Sequence, residues 1–378
     1  MSKSQIAVDM ETHARNHAEV ARAERAARVP LVLHIPHASL VIPDDALSDY
    51  VVSRAMLDEH LARSTDHFTD ELFTNVSPST TDERIAVVRH EVSRLAVDPE
   101  RFEDDAREPM AACGLGVLYE CGHDGNRIRR ALDSSRREWY LDRWYRPHHA
   151  RLTEATDAAL ARAGRALIID AHSYPDEPLH LDVDQSRPRP DACIGTAGIH
   201  TPPALVEAAV AFSRAHGWSL GIDAPYAGSI VPMKHFERDG RVMSVMIEIN
   251  RKKYMELDGT RAVRTNGFAE TKAFTLGLIA ALRDAANAVA KAEFDPVGGE
   301  FTFTAALMTP PGTNITHYWC AAPFSATNRV KLDTLTNTPP FAGVTLVLDY
   351  DLTNGAAPFE FLATHGLAVY SPSMFTQP

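Results

Sequence analysis

Short runs of continuous apolar residues, separated by longer helical stretches, constrain the fold of this chain more than any other feature. The runs are LVLHI (31–35), IAVVR (85–89), ALIID (166–170), ACIGT (192–196) and VMSVMIEIN (242–250). Continuous apolarity, in contrast to strict alternation, indicates strands that are buried on both faces. The sequence therefore predicts an α/β fold in which helices flank a mostly parallel or mixed central sheet.

The stretches between these runs carry apolar residues at helical spacing. Helices are predicted at about 54–74, 135–163, 201–217 and 260–292, the second of them with an interruption near Pro147. The start of that second helix is polar, so His148 and His149 are expected on a solvated face. Residues 175–190 hold four prolines and several acids and are expected to form a loop.

A change of composition after residue 295 divides the chain. Strand-like runs separated by Pro, Gly, Asn and Thr turns follow, at 301–308, 316–322, 344–350 and 367–371. We predict three parts: a helical or frayed lead-in at 1–29, an α/β domain at 30–295 and a small all-β appendage at 296–378. The apolar strands of the appendage favour packing or association, so homo-oligomer contacts are expected through it.

Charge and cysteine content narrow the functional classes. The formal net charge of the 378 residues is −12, which argues against a nucleic-acid partner because phosphate binding needs clustered Lys and Arg. The four cysteines form no C-x-x-C pair, so no zinc ribbon is expected. There is no apolar run of about 20 residues and no secretory leader pattern. We therefore expect a cytoplasmic protein without a membrane partner.

Polar side chains follow three of the predicted strands, where open α/β sheets bind ligands. These residues, with an aspartate near the first predicted helix, are His34, His37, Asp66, Asp170, His172 and Glu248. Two histidines and a carboxylate brought to one sheet edge predict a catalytic zinc site with three protein ligands and one open position. No P-loop, H-E-x-x-H or G-x-S-x-G motif points elsewhere.

Structural alternatives stay open for each of these residues. His34 also suits a packed, hydrogen-bonded core position, and His37 a surface loop. Asp66 also suits a helix cap. Asp170 either orients a metal-binding histidine or satisfies backbone donors.

Seven segments occur in order along residues 30–285 and resemble the motifs of a known family. They are HIPHAS (34–39), STDHFTDELF (64–73), VSRLAVDPER (92–101), IIDAHSYP (168–175), CIGTAG (193–198), PYAGSIVP (225–232) and MIEINRKKYM (246–255). Together they are similar to the N-formylglutamate amidohydrolase family, within the wider zinc-carboxypeptidase-like group. The appendage at 296–378 lies outside the resemblance.

The resemblance implies a zinc-dependent amidohydrolase that acts on a small N-acyl amino acid. N-formyl-L-glutamate and water would give formate and L-glutamate, a step of histidine degradation. One Zn²⁺ per chain, or another divalent ion, would be bound by His37, Asp66 and His172. Glu248 would be the general acid/base, with Asp170 and His34 supporting the ligands from behind.

The resemblance also implies the residues that bind substrate. Arg94 and Arg101 would bind substrate carboxylates, since guanidinium groups pair with carboxylates in a bidentate manner. From the residues alone, Arg94 equally suits a structural ion pair with Asp98 or Glu100. Tyr226 and Gly228 would lie in a loop near the substrate.

Three departures from the family pattern affect substrate recognition more than metal binding. Ala38–Ser39 follow the second histidine of H-x-P-H, Gly228–Ser229 replace a glycine pair, and Glu100 replaces the usual asparagine of D-x-N-R. Two alternative functions therefore stay open. One is a related zinc deacylase or peptidase acting on another N-acyl amino acid or a small peptide. The other is a non-catalytic binding protein that has kept the fold.

Overall fold

The computed structural model describes residues 28–74 and 85–292, together with the backbone of four strands within 300–363. Contacts divide the chain into two compact units, Met1–Val289 and Ala290–Pro378. The predicted boundaries at 29/30 and 295/296 stay predictions, and the lead-in at 1–27 lies outside the described residues. Among the described residues, every helix is too short or too polar to cross a bilayer.

The first unit is built on a six-stranded sheet with the order β2-β1-β3-β6-β4-β5. Its strands are β1 (Leu31–Ile35), β2 (Ile85–Arg89), β3 (Ala166–Tyr174), β4 (Ala192–Gly195), β5 (Leu220–Ile222) and β6 (Val242–Asn250). The first four neighbours in this order pair in parallel, whereas β4 runs antiparallel to β6 and β5 parallel to β4. The predicted α/β fold with a mixed sheet flanked by helices is confirmed.

Helices cover this sheet. They are α1 (Arg54–Ser64), α2 (Thr69–Leu72), α3 (Ser134–Tyr140), α4 (Arg146–Ala163), α5 (Pro203–Ala215) and α6 (Phe268–Ala292). Leu152 and Ala159 of α4 are buried against a cluster that includes Val32, Ile168 and Val242 of the sheet. Continuous burial along the central strands explains why the sequence shows apolar runs there and not an alternating pattern.

The structure corrects several predicted helices. The stretch predicted at 54–74 is two helices, because residues 65–68 leave helical geometry and Phe68 adopts φ 64°. The predicted interruption near Pro147 is absent: a π-helical turn at Leu141–Tyr145 runs into α4, and Pro147 occupies its first turn, where no hydrogen-bond donor is needed.

The last predicted helix begins later than 260. Residues Met255–Asp258 (β7) and Arg261–Arg264 (β8) form an antiparallel hairpin before α6 starts at Phe268. The Asp258–Gly259 turn at its tip, where Gly259 has φ 64°, is a sequence signal for a hairpin.

The second unit contains two antiparallel strand pairs. Strand β9 (Glu300–Ala305) pairs with β10 (Tyr318–Pro323), and β11 (Val344–Leu348) pairs with β12 (Phe359–Ala363). Three of these strands overlap predicted ones, and β12 was not predicted. The strand predicted at 367–371 lies outside the described residues.

The register of the sheet brings the predicted site residues to one edge. His34 on β1 lies opposite Asp170 on β3, and His172 on β3 lies opposite Glu248 on β6. These positions are near the carboxyl ends of parallel strands, where ligands bind in such sheets.

Candidate active site

Three side chains converge at the carboxyl edge of β1 and β3. His37 Nδ1 lies 3.2 Å from His172 Nδ1, and Asp66 Oδ2 lies 3.2 Å from His172 Nδ1 and 3.6 Å from His37 Nδ1. All three residues are buried. The structure thus brings together the three side chains that are expected at this edge of the sheet, and their role as metal ligands stays a prediction.

The triangle of donor atoms fits a metal ion. A tetrahedral zinc site with bonds of about 2.0–2.1 Å has donor–donor edges of about 3.3–3.4 Å. The observed edges of 3.2, 3.2 and 3.6 Å lie close to that value. Two imidazole nitrogens and a carboxylate oxygen are also the donor types that zinc prefers.

Each of the three side chains makes a further hydrogen bond on the side that faces away from the donor triangle. His37 Nε2 contacts Asp98 Oδ1 at 2.8 Å, so its Nδ1 lone pair faces the other two donors. Arg251 donates to Asp66 Oδ1 at 2.8 Å and leaves Oδ2 toward the histidines. Outer hydrogen bonds of this kind fix the tautomer and orientation of metal-binding side chains.

The carboxylate of Asp170 contacts both a candidate metal-binding histidine and a backbone N–H group. The two alternatives that the sequence offers for this residue therefore occur together. Its Oδ1 lies 3.0 Å from His172 Nε2 and 2.8 Å from His34 Nδ1, so it orients His172. Its Oδ2 accepts a hydrogen bond from the backbone N–H of Ile230. His34 is fully buried in the strand, as the core alternative for it required.

Glu248 lies beside the triangle on the central strand β6. The side chain is buried and lines the cavity, and its Oε2 has no hydrogen-bond partner within the described part of the chain. Burial raises the pKa of Glu248 to about 8, and the positive field of His172 opposes this shift. A carboxyl group with a pKa near neutrality is suited to moving protons.

Two of the three arginines that line the same cavity share one carboxylate. Arg94 donates to Asp98 Oδ2 at 3.0 Å, and Arg101 Nε lies 3.8 Å from the same atom. The Nε atoms of both guanidinium groups are buried without a hydrogen-bond partner within the described residues. The structure thus contains the Arg94–Asp98 ion pair that the sequence left open, together with donors still available to a ligand.

The cavity has a volume of about 540 Å³. It is bounded on one side by Leu179, Leu181 and Val183 of the predicted loop at 175–190. Tyr226 also lines the cavity, and its hydroxyl is held by Asp182 at 2.9 Å. Gly228 is not among the lining residues: its carbonyl packs against Gly195, and its predicted role in binding stays a prediction.

Histidines form a second layer behind the site. His34 Nε2 lies 2.8 Å from His148 Nε2, and the ring of His148 packs edge-on against the ring of His90. His148 is fully buried, so the prediction of a solvated helix face is wrong for this residue. The reason is that α4 packs this side of its first turn on the sheet. Burial lowers the pKa of His90 to about 3 and that of His149 to about 4.

These buried neutral histidines predict loss of stability in mild acid. The unfolded chain takes up a proton on each such histidine below about pH 6.5, whereas the folded chain does not, so stability falls as pH drops from 6.5 toward 4. Each histidine contributes about 1 kcal/mol per pH unit in that window. Urea unfolding in chelator, repeated from pH 8 to pH 4, measures the slope.

The variant His90→Leu is expected to reduce that slope, with little loss of stability at pH 8 because both His90 ring nitrogens lack partners in the described structure. His216→Gln, which changes an exposed histidine, serves as the control and is expected to keep the wild-type slope. An unchanged slope in His90→Leu would contradict the prediction.

Sequence reasoning missed the functions of two residues. Arg251 follows β6 directly and is not among the predicted site residues, yet it contacts Asp66 and Ser173. Glu100 was seen as a departure from a family pattern, yet its carboxylate contacts both His34 and His172. These contacts join residues that lie about 70–185 positions apart in the sequence. The fold sets them, and local sequence patterns carry no signal for them.

Comparisons with known proteins agree with this architecture. A model of the N-formylglutamate amidohydrolase family matches residues 29–255. The chain is 28% identical over 235 residues to an N-formylglutamate deformylase of Pseudomonas putida, covering 61% of this chain and 83% of that protein. It is 27% identical over 264 residues to one of Pseudomonas aeruginosa PAO1, covering 68% and 93%. A crystal structure of N-formylglutamate amidohydrolase from Ralstonia eutropha JMP134 matches with a TM-score of 0.55 and 26% identity, covering 70% and 94%.

The fold and these matches define a hydrolase that acts on an amide. The family model covers more than half of the chain. The chain therefore belongs to the N-formylglutamate amidohydrolase family, as the resemblance in the sequence predicted.

Proposed function

We propose that this chain is a zinc-dependent amidohydrolase that converts N-formyl-L-glutamate, or a close analogue, and water into formate and the free amino acid. The observation that carries the proposal is the triangle of His37, Asp66 and His172 donor atoms beside the buried carboxyl group of Glu248. The names of the Pseudomonas relatives support the substrate.

His37, Asp66 and His172 would hold one divalent ion per chain. A Zn²⁺ ion supplies Lewis-acid polarisation of a carbonyl group and lowers the pKa of water. The ligands are pre-oriented by Asp98, Arg251 and Asp170, which reduces the entropy lost when an ion binds.

Glu248 would move the proton. A carboxylate accepts a proton from the attacking water as the new carbon–oxygen bond forms. The same group returns that proton to the nitrogen of the amide as the carbon–nitrogen bond breaks, so that the amine leaves neutral. The orphaned Oε2 of Glu248, buried next to the donor triangle, supports this role.

Arg94 and Arg101 would bind the carboxylates of the substrate. Both face the cavity, and both retain buried donors that Asp98 does not occupy. Tyr226, fixed through its hydroxyl to Asp182 and Arg189, would form part of the opposite wall. An acidic amino acid suits this charge pattern better than a neutral one.

One observation favours a second candidate, a deacylase for larger N-acyl amino acids or small peptides. A cavity of about 540 Å³ lies in the range that takes drug-sized ligands, and a formyl group is the smallest acyl group. Val183 at its margin is 88% exposed and leaves apolar surface uncovered.

The test combines metal analysis with product release. We expect about one zinc per chain, and formate release from N-formylglutamate that stops in chelator and returns with added zinc. N-formylglutamine, which lacks the side-chain carboxylate, is the matched control substrate and should react at least tenfold less efficiently if the arginines bind that group.

Zinc without formate release, but with release of longer acyl groups, would favour the second candidate. A chain that takes up no metal would exclude the proposal. A place in histidine degradation, a cytoplasmic location and oligomer contacts through residues 296–378 stay predictions.

A further inference from the structure

The carboxylate of Glu100 contacts two histidines, and in the described structure it forms no ion pair with any of the three arginines that line the cavity. Its Oε2 lies 3.2 Å from His172 Nε2, and its Oε1 lies 3.3 Å from His34 Nδ1. The side chain is only 16% exposed.

We propose that Glu100 is a positioning residue that locks the metal-binding histidine His172 and thereby supports the metal site of this chain. The inference rests on the proposed function, because it takes His172 as a metal ligand.

The contacts form a closed ring. His34 Nδ1, Asp170 Oδ1, His172 Nε2 and the Glu100 carboxylate follow one another at 2.8, 3.0, 3.2 and 3.3 Å. The two imidazoles thus lie between the carboxylates of Asp170 and Glu100. His34 Nδ1 hydrogen-bonds Asp170, whereas Glu100 Oε1 lies within ion-pair distance of it without a hydrogen bond in the described structure. His34 is in turn fixed from behind by His148 at 2.8 Å.

This ring holds the imidazole of His172 from two sides. Asp170 is its neighbour on the same strand, whereas Glu100 reaches it from a different segment of the chain. That segment is itself fixed, because the Glu100 backbone N–H donates to Asp98 Oδ1 at 2.9 Å, and Asp98 supports His37. One short segment therefore supports both metal-binding histidines through Asp98 and Glu100.

A Glu100 substitution is expected to have two effects: weaker binding of the metal ion and tighter binding of an anionic substrate. Outer carboxylates raise the basicity of the ligands they contact, and their loss typically costs 10- to 100-fold in metal affinity. Removal of a negative charge from the cavity next to Arg101 favours an anionic substrate, so KM should fall. A general distortion of the site would instead raise both the metal dissociation constant and KM.

The experiment compares wild type with Glu100→Asn, which removes the charge and shortens the side chain, and with Glu100→Gln, which keeps the shape without the charge. Glu103→Gln is the control, since Glu103 is about 40% exposed and pairs with Arg146 away from the cavity. Zinc dissociation constants come from competition with a chromophoric chelator. Formate release from N-formylglutamate is measured at saturating zinc.

We expect both Glu100 variants to raise the zinc dissociation constant 10- to 100-fold and to lower KM, with the control at wild-type values. Equal zinc affinity in all four proteins would overturn the inference, and continued formate release would leave the proposed function intact. Two zinc ions per wild-type chain, reduced to one in the variants, would make Glu100 a ligand and also overturn it. A wild type without zinc binding would remove both proposals.

Discussion

Glu248→Gln is expected to lower kcat for formate release by about 10³-fold, within the range that general acid–base groups contribute. The amide keeps the size of the side chain and its place on β6 but can neither accept nor return a proton. Zinc content should stay at the wild-type level, because the three donor atoms of the metal site belong to other residues. KM should change by no more than a few-fold.

Stability provides an independent readout for the same variant. Burial raises the pKa of Glu248 to about 8, so ionisation of this group in the folded protein is unfavourable. The glutamine variant should therefore be at least as stable to urea as wild type above pH 8. A variant with normal zinc content and a wild-type rate would show that another group moves the proton.

The pH dependence of the wild-type kcat/KM should follow the ionisation of Glu248. Glu248 accepts a proton only as a carboxylate, so kcat/KM should rise with pH until this residue is ionised. Burial raises the pKa of Glu248 to about 8, and a bound cation would favour the ionised form, so this limb should lie below pH 8. The residual rate of Glu248→Gln should lack this limb.

His172→Ala is expected to abolish both zinc binding and formate release. The change removes one of three donors and also the imidazole that separates Asp170 from Glu100. Two donors without that support should hold zinc too weakly to survive gel filtration. Metal analysis and product release, measured on the same preparation, check both losses together.

A second buried histidine provides the matched control. His200 is fully buried on the far side of β6, where its ring contacts the backbone of Val242 and Glu237. His200→Gln can keep both hydrogen bonds and should retain zinc and activity. If His172→Ala kept one zinc per chain, the proposed ligand set would be wrong.

The sheet was the most predictable part of the molecule. The bounds of β1, β2 and β6 agree with the apolar runs. For β1 and β6 the reason is that every residue is buried, so the whole strand is apolar or nearly so. The residues that follow these strands were therefore placed at one edge correctly. The direction of β4 was not predictable, since a strand buried on both faces looks the same in either orientation.

Asp66 shows what local patterns leave out. The sequence indicated one helix across this residue, yet the structure ends α1 at Ser64 and begins α2 at Thr69. Asp66 reaches the histidines only because of that break, which is stabilised by its backbone N–H donating to His37 O and by Arg251 on its side chain. These partners are remote in sequence, so local patterns made Asp66 a candidate but could not show how it reaches the histidines.

The pairing of β3 with β6 bears on how the substrate range of this enzyme could be altered. His172 and Glu248 face each other across one hydrogen-bonded ladder, so their separation is set by backbone geometry. Much of the cavity wall, in contrast, belongs to the connecting segments at 175–190 and 223–227. Under the proposed function, the reacting pair and much of the wall that would contact the acyl group therefore lie in different segments of the chain. A laboratory library confined to those two segments would sample new acyl groups while each member kept the reacting pair in register.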